Sequence, residues 1–216
     1  MTAEDAGALD ALLTDPLDEG VREALLAFTA LVRQWSRKTD LVRVRGPEAL
    51  AELLFLDALQ LAAAIPEGLS VLDVGAGAGA PGVPLALLRP DLKPTLLEPR
   101  RRRVTFIRLA AGSLDLGERL RVREDRLEAP PAPELRGFGL AYSRATFAPA
   151  EWLERGRALA PRVTLLLARE DPPDPAPGEV VASVRRYTVP STGAPRRIVT
   201  YLRQSQDDRR LVGSEP

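Results

Sequence analysis

Asp73, Gly75, Gly77 and Gly79 are spaced to hold a ligand against the main chain, because they belong to the run Val71-Leu72-Asp73-Val74-Gly75-Ala76-Gly77-Ala78-Gly79-Ala80-Pro81-Gly82. An apolar strand with a carboxylate near its end here enters a glycine-rich turn. Glycine at alternate positions lets a backbone take left-handed dihedrals and approach a ligand more closely than any side chain allows. The run reads as a nucleotide-cofactor loop, with a helix able to start at Pro81 and to tolerate Pro84 near that end. A second apolar run, Thr95-Leu96-Leu97, meets Glu98 roughly 20 residues beyond the glycines, where such folds place a carboxylate to accept ribose hydroxyls. Two plainer readings stand beside these. One is a turn of small residues in an alanine-rich chain, and the other is a solvated Glu98 capping the helix that begins near Arg100.

Other chemistry is excluded by residues the chain lacks. It has no cysteine, which removes disulfides, thiolate zinc sites and cysteine nucleophiles, and no histidine, which removes the commonest acid-base group and metal ligand. No metal site is expected. The 216 residues suit one domain with an appendage, and 45% hydrophobic with 28% charged residues is ordinary for a globular protein. Thirty basic residues balance thirty acidic ones, so any nucleic-acid contact must come from local patches. No stretch approaches the roughly 20 apolar residues that span a bilayer, and Glu4, Asp5 and Asp10 do not suit a signal peptide, so the expected location is cytoplasmic.

The elements that must position the loop are legible in the hydrophobic periodicity. Val21, Leu25, Phe28, Val32 and Trp35 recur at helical spacing, and Pro47-Glu48 opens a second helix carrying Leu50, Leu54, Leu61 and Ile65 to Pro66-Glu67-Gly68. From Leu69 short apolar runs alternate with helical segments, the pattern of a parallel sheet covered on both faces. Strands are predicted near Leu69–Val74, Thr95–Leu97, Leu120–Val122, Leu140–Tyr142 and Val163–Leu167, with helices near Pro84–Leu88, Arg101–Leu114 and Ala150–Leu159. Proline-rich connections are expected over Glu128 to Arg136 and Asp171 to Gly178. A final hairpin is expected from Val180–Val189 and Ile198–Leu202 around Ser191-Thr192-Gly193. The division is a helical extension over 1–66, a ligand-binding domain over 67–204 and a frayed tail over 205–216.

Together these residues resemble the bacterial small-subunit ribosomal RNA guanine-N7 methyltransferase family, also called the glucose-inhibited division protein B family. The resemblance runs from about Leu25 to about Leu202. It is carried by Gln34-Trp35-Ser36 with Asp40-Leu41, Leu56-Asp57, Val71 to Pro84, Arg89-Pro90, Leu97-Glu98 with Arg102-Arg103-Val104-Phe106, and Ser143-Arg144-Ala145. Asp-x-Gly-x-Gly is shared with S-adenosylmethionine enzymes in general, whereas Pro81-Gly82-x-Pro84 and Ser-Arg-Ala point to this family. The resemblance implies a Rossmann-like class I methyltransferase fold, with a seven-stranded mostly parallel sheet and an amino-terminal helical extension. It implies S-adenosylmethionine as methyl donor and N7 of a guanine in 16S ribosomal RNA as acceptor. Gly75 and Ala80 match loop positions that contact the donor, Glu98 matches the acid at its ribose, Leu127-Glu128 match a pair flanking the adenine, and Arg144 matches an arginine beside the donor. Asp73, Gly77 and Gly79 complete the expected cofactor site. Leu127 as an ordinary apolar contact, Glu128 as a solvated carboxylate, Arg144 as partner of Asp73 and Asp73 as a brace for the glycine turn are the alternatives.

Guanine N7 has an exposed lone pair and no proton, so its methylation needs no general base, which suits a chain without histidine; no catalytic residue is assigned. Arg37, Lys38, Arg43, Arg45, Arg196 and Arg197 are candidates for RNA phosphate contacts, with solvated arginines balanced by acids as the plainer reading. The expected partner is small-subunit ribosomal RNA or its precursor particle, with no membrane and a monomeric enzyme. Departures from the family pattern fall on the acceptor side: Leu53-Leu54 replace an Arg-His pair, Asp40-Leu41-Val42 replaces Asn-Leu-Thr, Ala168-Arg169-Glu170 replaces Lys-Gly, and an arginine near Arg197 replaces a histidine. The alternatives to ribosomal RNA methylation are a diverged paralogue acting on another acceptor and a non-catalytic donor-binding protein.

Overall fold

The computed structural model describes residues 2–44 and 46–204. Arg45 and the expected tail over 205–216 lie outside the described residues. Helix α1 (Ala3–Asp10) was not predicted. It is too short to show a periodic stripe, and its signal was instead a capping box, in which Thr2 Oγ1 accepts from the Asp5 backbone and the Asp5 carboxylate accepts from Thr2. Helix α2 (Glu19–Ser36) starts where Asp18 accepts hydrogen bonds from the backbones of Gly20 and Val21, and it buries Leu25, Leu26, Phe28 and Val32. The second predicted helix is one continuous rod with a widened middle: α3 (Pro47–Ala51), a π-helical turn (Glu52–Leu56) and α4 (Asp57–Ala64).

The remaining elements alternate: β1 (Ser70–Val74), α5 (Gly82–Leu88), β2 (Lys93–Leu97), α6 (Arg101–Ser113), β3 (Arg121–Arg123), β4 (Leu140–Ser143), α7 (Pro149–Gly156) and β5 (Arg162–Leu167). The chain then ends in the antiparallel pair β6 (Glu179–Thr188) and β7 (Pro195–Arg203). One sheet of seven strands results, ordered β3-β2-β1-β4-β5-β7-β6, with β7 antiparallel to β5. The proline-rich connection before β4 is not wholly extended, since Pro133–Leu135 forms a 3-10 turn. A proline at the first position of that turn needs no hydrogen-bond donor there.

Both faces of the sheet are covered. On one, Phe106 of α6 contacts Phe28 and Trp35 of α2 with ring centroids 6.2 and 5.5 Å apart, and the amino-terminal helices share a core with Leu96 and Val83. On the other, Leu72, Val74 and Leu97 pack with Trp152 and Leu153 of α7, and the Trp152 indole donates to the Thr164 carbonyl at 2.9 Å. Chain direction diverges at β1, which lies between β2 and β4, so the crevice beyond the carboxyl ends of these strands is the natural ligand site of such a sheet.

Candidate active site

Register brings the site together. Val74, the last residue of β1, is paired with Leu97 of β2 on one side and with Ser143 of β4 on the other. The segments that start at Gly75, Glu98 and Arg144 therefore leave the sheet side by side. The Gly75 and Ala76 amides donate to the Leu97 carbonyl at 2.8 and 3.1 Å, and Ser143 Oγ donates to the Val74 carbonyl at 2.8 Å, stitching the three strand ends.

Above them lies a cleft of about 900 Å³ whose walls include Gly75, Gly77, Ala80, Arg103, Arg144 and Thr146. Gly75 and Gly77 have φ of +80° and +60°, values that side chains strain to adopt. A Cβ at Gly75 would overlap Thr146 Oγ1, so glycine is required there by both conformation and close approach. At Gly77 the position of an added Cβ is open, its nearest neighbour being an Arg103 nitrogen at 3.8 Å, so the main chain itself faces free space. A backbone cradle of this kind fits a nucleoside donor.

Of the other predicted cofactor residues, Glu98 is only 2% exposed and lies beneath the loop. Its Oε2 accepts from the Gly77 amide at 2.8 Å and its Oε1 from the Arg100 amide at 3.0 Å, with Arg103 at 3.8 Å. Two carboxylate oxygens offer about four lone-pair sites, so acceptor capacity remains for ribose hydroxyls. Gly79 packs against Val83 and Ile107 away from the cleft walls, and Leu127 is buried beside Leu97 and Leu135. Glu128 is exposed and does not line the cleft.

Asp73 is buried on β1 opposite Tyr142, whose hydroxyl donates to Asp73 Oδ2 at 3.0 Å. Burial pushes its carboxyl up to about 7, only partly opposed by Tyr142, the nearby Arg144 charge and the Gly82 amide. A Cβ at Gly82 would lie 2.7 Å from Asp73 Oδ2, so the carboxylate braces the turn where α5 begins. Arg144 does not pair with Asp73. Its guanidinium donates to Asp57 Oδ2 at 3.1 Å and to the carbonyls of Leu53 and Ala80 at 2.9 and 2.8 Å. Asp57 Oδ1 also accepts from the Tyr187 hydroxyl at 2.7 Å, and burial together with the Asp57 charge raises the Tyr187 phenol.

The arginine candidates separate. Arg43 and Arg196 line the cleft, but Arg43 is paired with Asp40, and Arg197 is paired with Asp171 at 3.0 Å. Arg37 and Lys38 are exposed just after α2, away from the cleft, and make no ion pair among the described residues. Both leucines that replace the family's Arg-His border the cleft, Leu54 almost wholly buried in the core behind it, so the cleft wall is apolar at both positions. Sequence reasoning missed Thr146 and Tyr187 as site residues. Thr146 directly follows Ser-Arg-Ala and could have been included, while Tyr187 is 130 residues from its partner Asp57 and gave no local signal.

A sheet of this order, with a glycine loop after β1 and a buried acid after β2, defines a class I S-adenosylmethionine-dependent methyltransferase. The model of the GidB family, rRNA small subunit methyltransferase G, matches residues 21–168, and the chain belongs to that family. A ribosomal RNA small subunit methyltransferase G of Anaeromyxobacter dehalogenans is 33% identical over 201 residues, 88% of this chain and 92% of the relative. That of Methylobacillus flagellatus is 36% identical over 185 residues, 83% and 87% of the two chains. Two solved structures share the fold. Mitomycin 7-O-methyltransferase MmcR matches with a TM-score of 0.56 at 17% identity, covering 94% of this chain and 73% of that one. The tRNA methyltransferase TrmK of B. subtilis matches with a TM-score of 0.51 at 14% identity, covering 73% and 69%.

Proposed function

We propose that this enzyme transfers a methyl group from S-adenosylmethionine to N7 of a guanine in small-subunit ribosomal RNA. The observation that carries the reading is the shared register of Val74, Leu97 and Ser143, which gathers a glycine cradle and Arg144 around one cleft, with Glu98 directly beneath the cradle, in a chain of this family. When bound, S-adenosylmethionine supplies an electrophilic methyl group. The main chain at Gly75, Gly77 and Ala80 would hold it, with Glu98 at the ribose. Asp73 and Gly79 keep the loop in shape, and Arg144 ties the Ala80 carbonyl to the Leu53 carbonyl and Asp57.

The chain's contribution to the reaction is placement. N7 needs no proton removed, so holding the acceptor in line is the main task, and well-oriented reactants can lower a barrier by about 7–11 kcal/mol at the upper end. The acceptor base would be an unpaired or extruded nucleotide. Arg37, Lys38, Arg43, Arg196 and Arg197, together with Arg45, would meet RNA phosphates, Arg43 and Arg197 exchanging carboxylate partners to do so. We read the enzyme as acting as a monomer, and a ribosomal substrate supports a cytoplasmic location.

The test is calorimetric titration of wild type and Glu98→Ala with S-adenosylmethionine, followed by transfer of labelled methyl to small ribosomal subunits. The expected result is binding weakened by the substitution and label in the RNA. Donor binding without label in RNA would overturn the acceptor assignment.

A further inference from the structure

Arg144 is a cation set into the wall of the cleft beside Gly75 and Ala80, with its side chain 25% exposed. Two of its acceptors, the Leu53 and Ala80 carbonyls, are neutral. Among its hydrogen-bond acceptors only Asp57, 16% exposed in its side chain, brings a compensating charge. That carboxylate is held from both sides, by Arg144 on Oδ2 and by Tyr187 on Oδ1. Its neighbours along the helix reinforce the arrangement: Glu52 accepts from the backbone and hydroxyl of Ser191 at 2.7 and 2.6 Å, and Gln60 accepts from Arg185 at 2.6 Å. The other carboxylates near the cleft are engaged elsewhere, Glu98 by the Gly77 and Arg100 amides, Asp73 by Tyr142 and Glu170 by the Ala168 and Arg169 amides.

We propose that Asp57 is a positioning residue whose charge neutralises Arg144, so that Arg144 does not bias the cleft against the positively charged donor relative to its neutral by-product. This rests on the donor reading above. S-adenosylmethionine differs from S-adenosylhomocysteine by one methyl group and one unit of positive charge at sulfur. An uncompensated guanidinium in a partly buried wall repels the first and not the second, because charges screened by little water act across several ångströms. Arg144 is retained for its hydrogen bonds, which close the donor loop onto the helical extension, and Asp57 removes the penalty its charge would impose.

The experiment measures dissociation constants for S-adenosylmethionine and S-adenosylhomocysteine side by side. Asp57→Asn keeps the shape and one acceptor but loses the charge, and the ratio of donor to by-product constants should rise about tenfold, the order expected of one partly screened unit charge. Arg144→Gln should move that ratio in the opposite direction, and it carries the test if Asp57→Asn does not fold. Tyr187→Phe removes a hydrogen bond to Asp57 without changing the charge of the cleft and should weaken both ligands alike. Equal losses for the two ligands in Asp57→Asn and in Arg144→Gln would overturn the proposal and leave Asp57 a structural residue. Failure of wild type to bind either ligand would instead overturn the donor reading itself.

Discussion

Substitution of Gly75 by alanine tests whether the cradle needs glycine for the reasons given. At φ +80° an alanine is in a left-handed conformation, which disfavours an L side chain by about 1–2 kcal/mol. The new Cβ would overlap Thr146 Oγ1 and lie 2.9 Å from Thr146 Cγ2 and 3.1 Å from Thr146 Cβ. Rotating the threonine moves Oγ1 and Cγ2 but not Cβ, so the two strand-end loops must separate slightly. A total near 2 kcal/mol lowers Tm by about 4–8 °C for a chain of this size. The loops that must part are the walls of the donor cleft, so S-adenosylmethionine affinity should fall about tenfold, equivalent to about 1.4 kcal/mol. Differential scanning calorimetry and isothermal titration read the two quantities. Adding Thr146→Ala should recover part of both losses, because it removes Oγ1 and Cγ2 while leaving the backbone strain. A Gly75→Ala protein that melts and binds like wild type would refute the argument, and a double variant no better than the single one would refute the role given to Thr146.

Three further outcomes follow from the site. Asp73 has a folded-state pKa of about 7 against an ordinary 3.8, so its favourable contribution is complete below 3.8 and is lost as pH rises toward 7. Urea denaturation across that window should show Asp73→Asn gaining on wild type as pH rises, and a constant difference would contradict the assigned protonation. Glu98→Gln leaves one acceptor oxygen and one NH₂ group for the amides of Gly77 and Arg100, so donor affinity should fall about tenfold with the fold retained, as for loss of a charge-assisted hydrogen bond. Arg37→Ala and Lys38→Ala should each reduce the salt slope of binding to a single-stranded ribosomal RNA fragment by about 0.7. Arg43→Ala should change that slope less, because Asp40 already neutralises Arg43.

Much of the sheet was legible because its strands are short apolar runs between glycine and proline punctuation. The strand expected over Leu69–Val74 is Ser70–Val74, and the expected final hairpin is present as β6 and β7. Boundaries slipped where the local signal was ambiguous: β3 is Arg121–Arg123, displaced one residue, and α5 begins at Gly82 with Pro81 as its cap. The π-helical turn at Glu52–Leu56 was invisible, since its residues keep a helical apolar pattern while the hydrogen-bond ring widens.

Among the site residues, the glycine loop and Glu98 could be read locally because their spacing reflects a strand-loop-helix unit. The partner of Arg144 could not. Asp73 was a reasonable candidate by position on the neighbouring strand, but Asp73 is taken by Tyr142 on the sheet face, and Arg144 reaches Asp57, 87 residues away on the amino-terminal helices. Only tertiary packing decides between two carboxylates, and the same holds for the phosphate candidates, whose pairing by Asp40 and Asp171 depends on loop geometry.

The most direct test of the central claim is to map the methyl group. Small ribosomal subunits lacking the modification would be incubated with the purified enzyme and labelled S-adenosylmethionine, and their RNA probed by the base-specific cleavage that follows N7 methylation of guanine. The account predicts label in the small-subunit RNA and a new cleavage at one guanine. Label in RNA at any other base atom, or donor binding with no label in RNA, would contradict it.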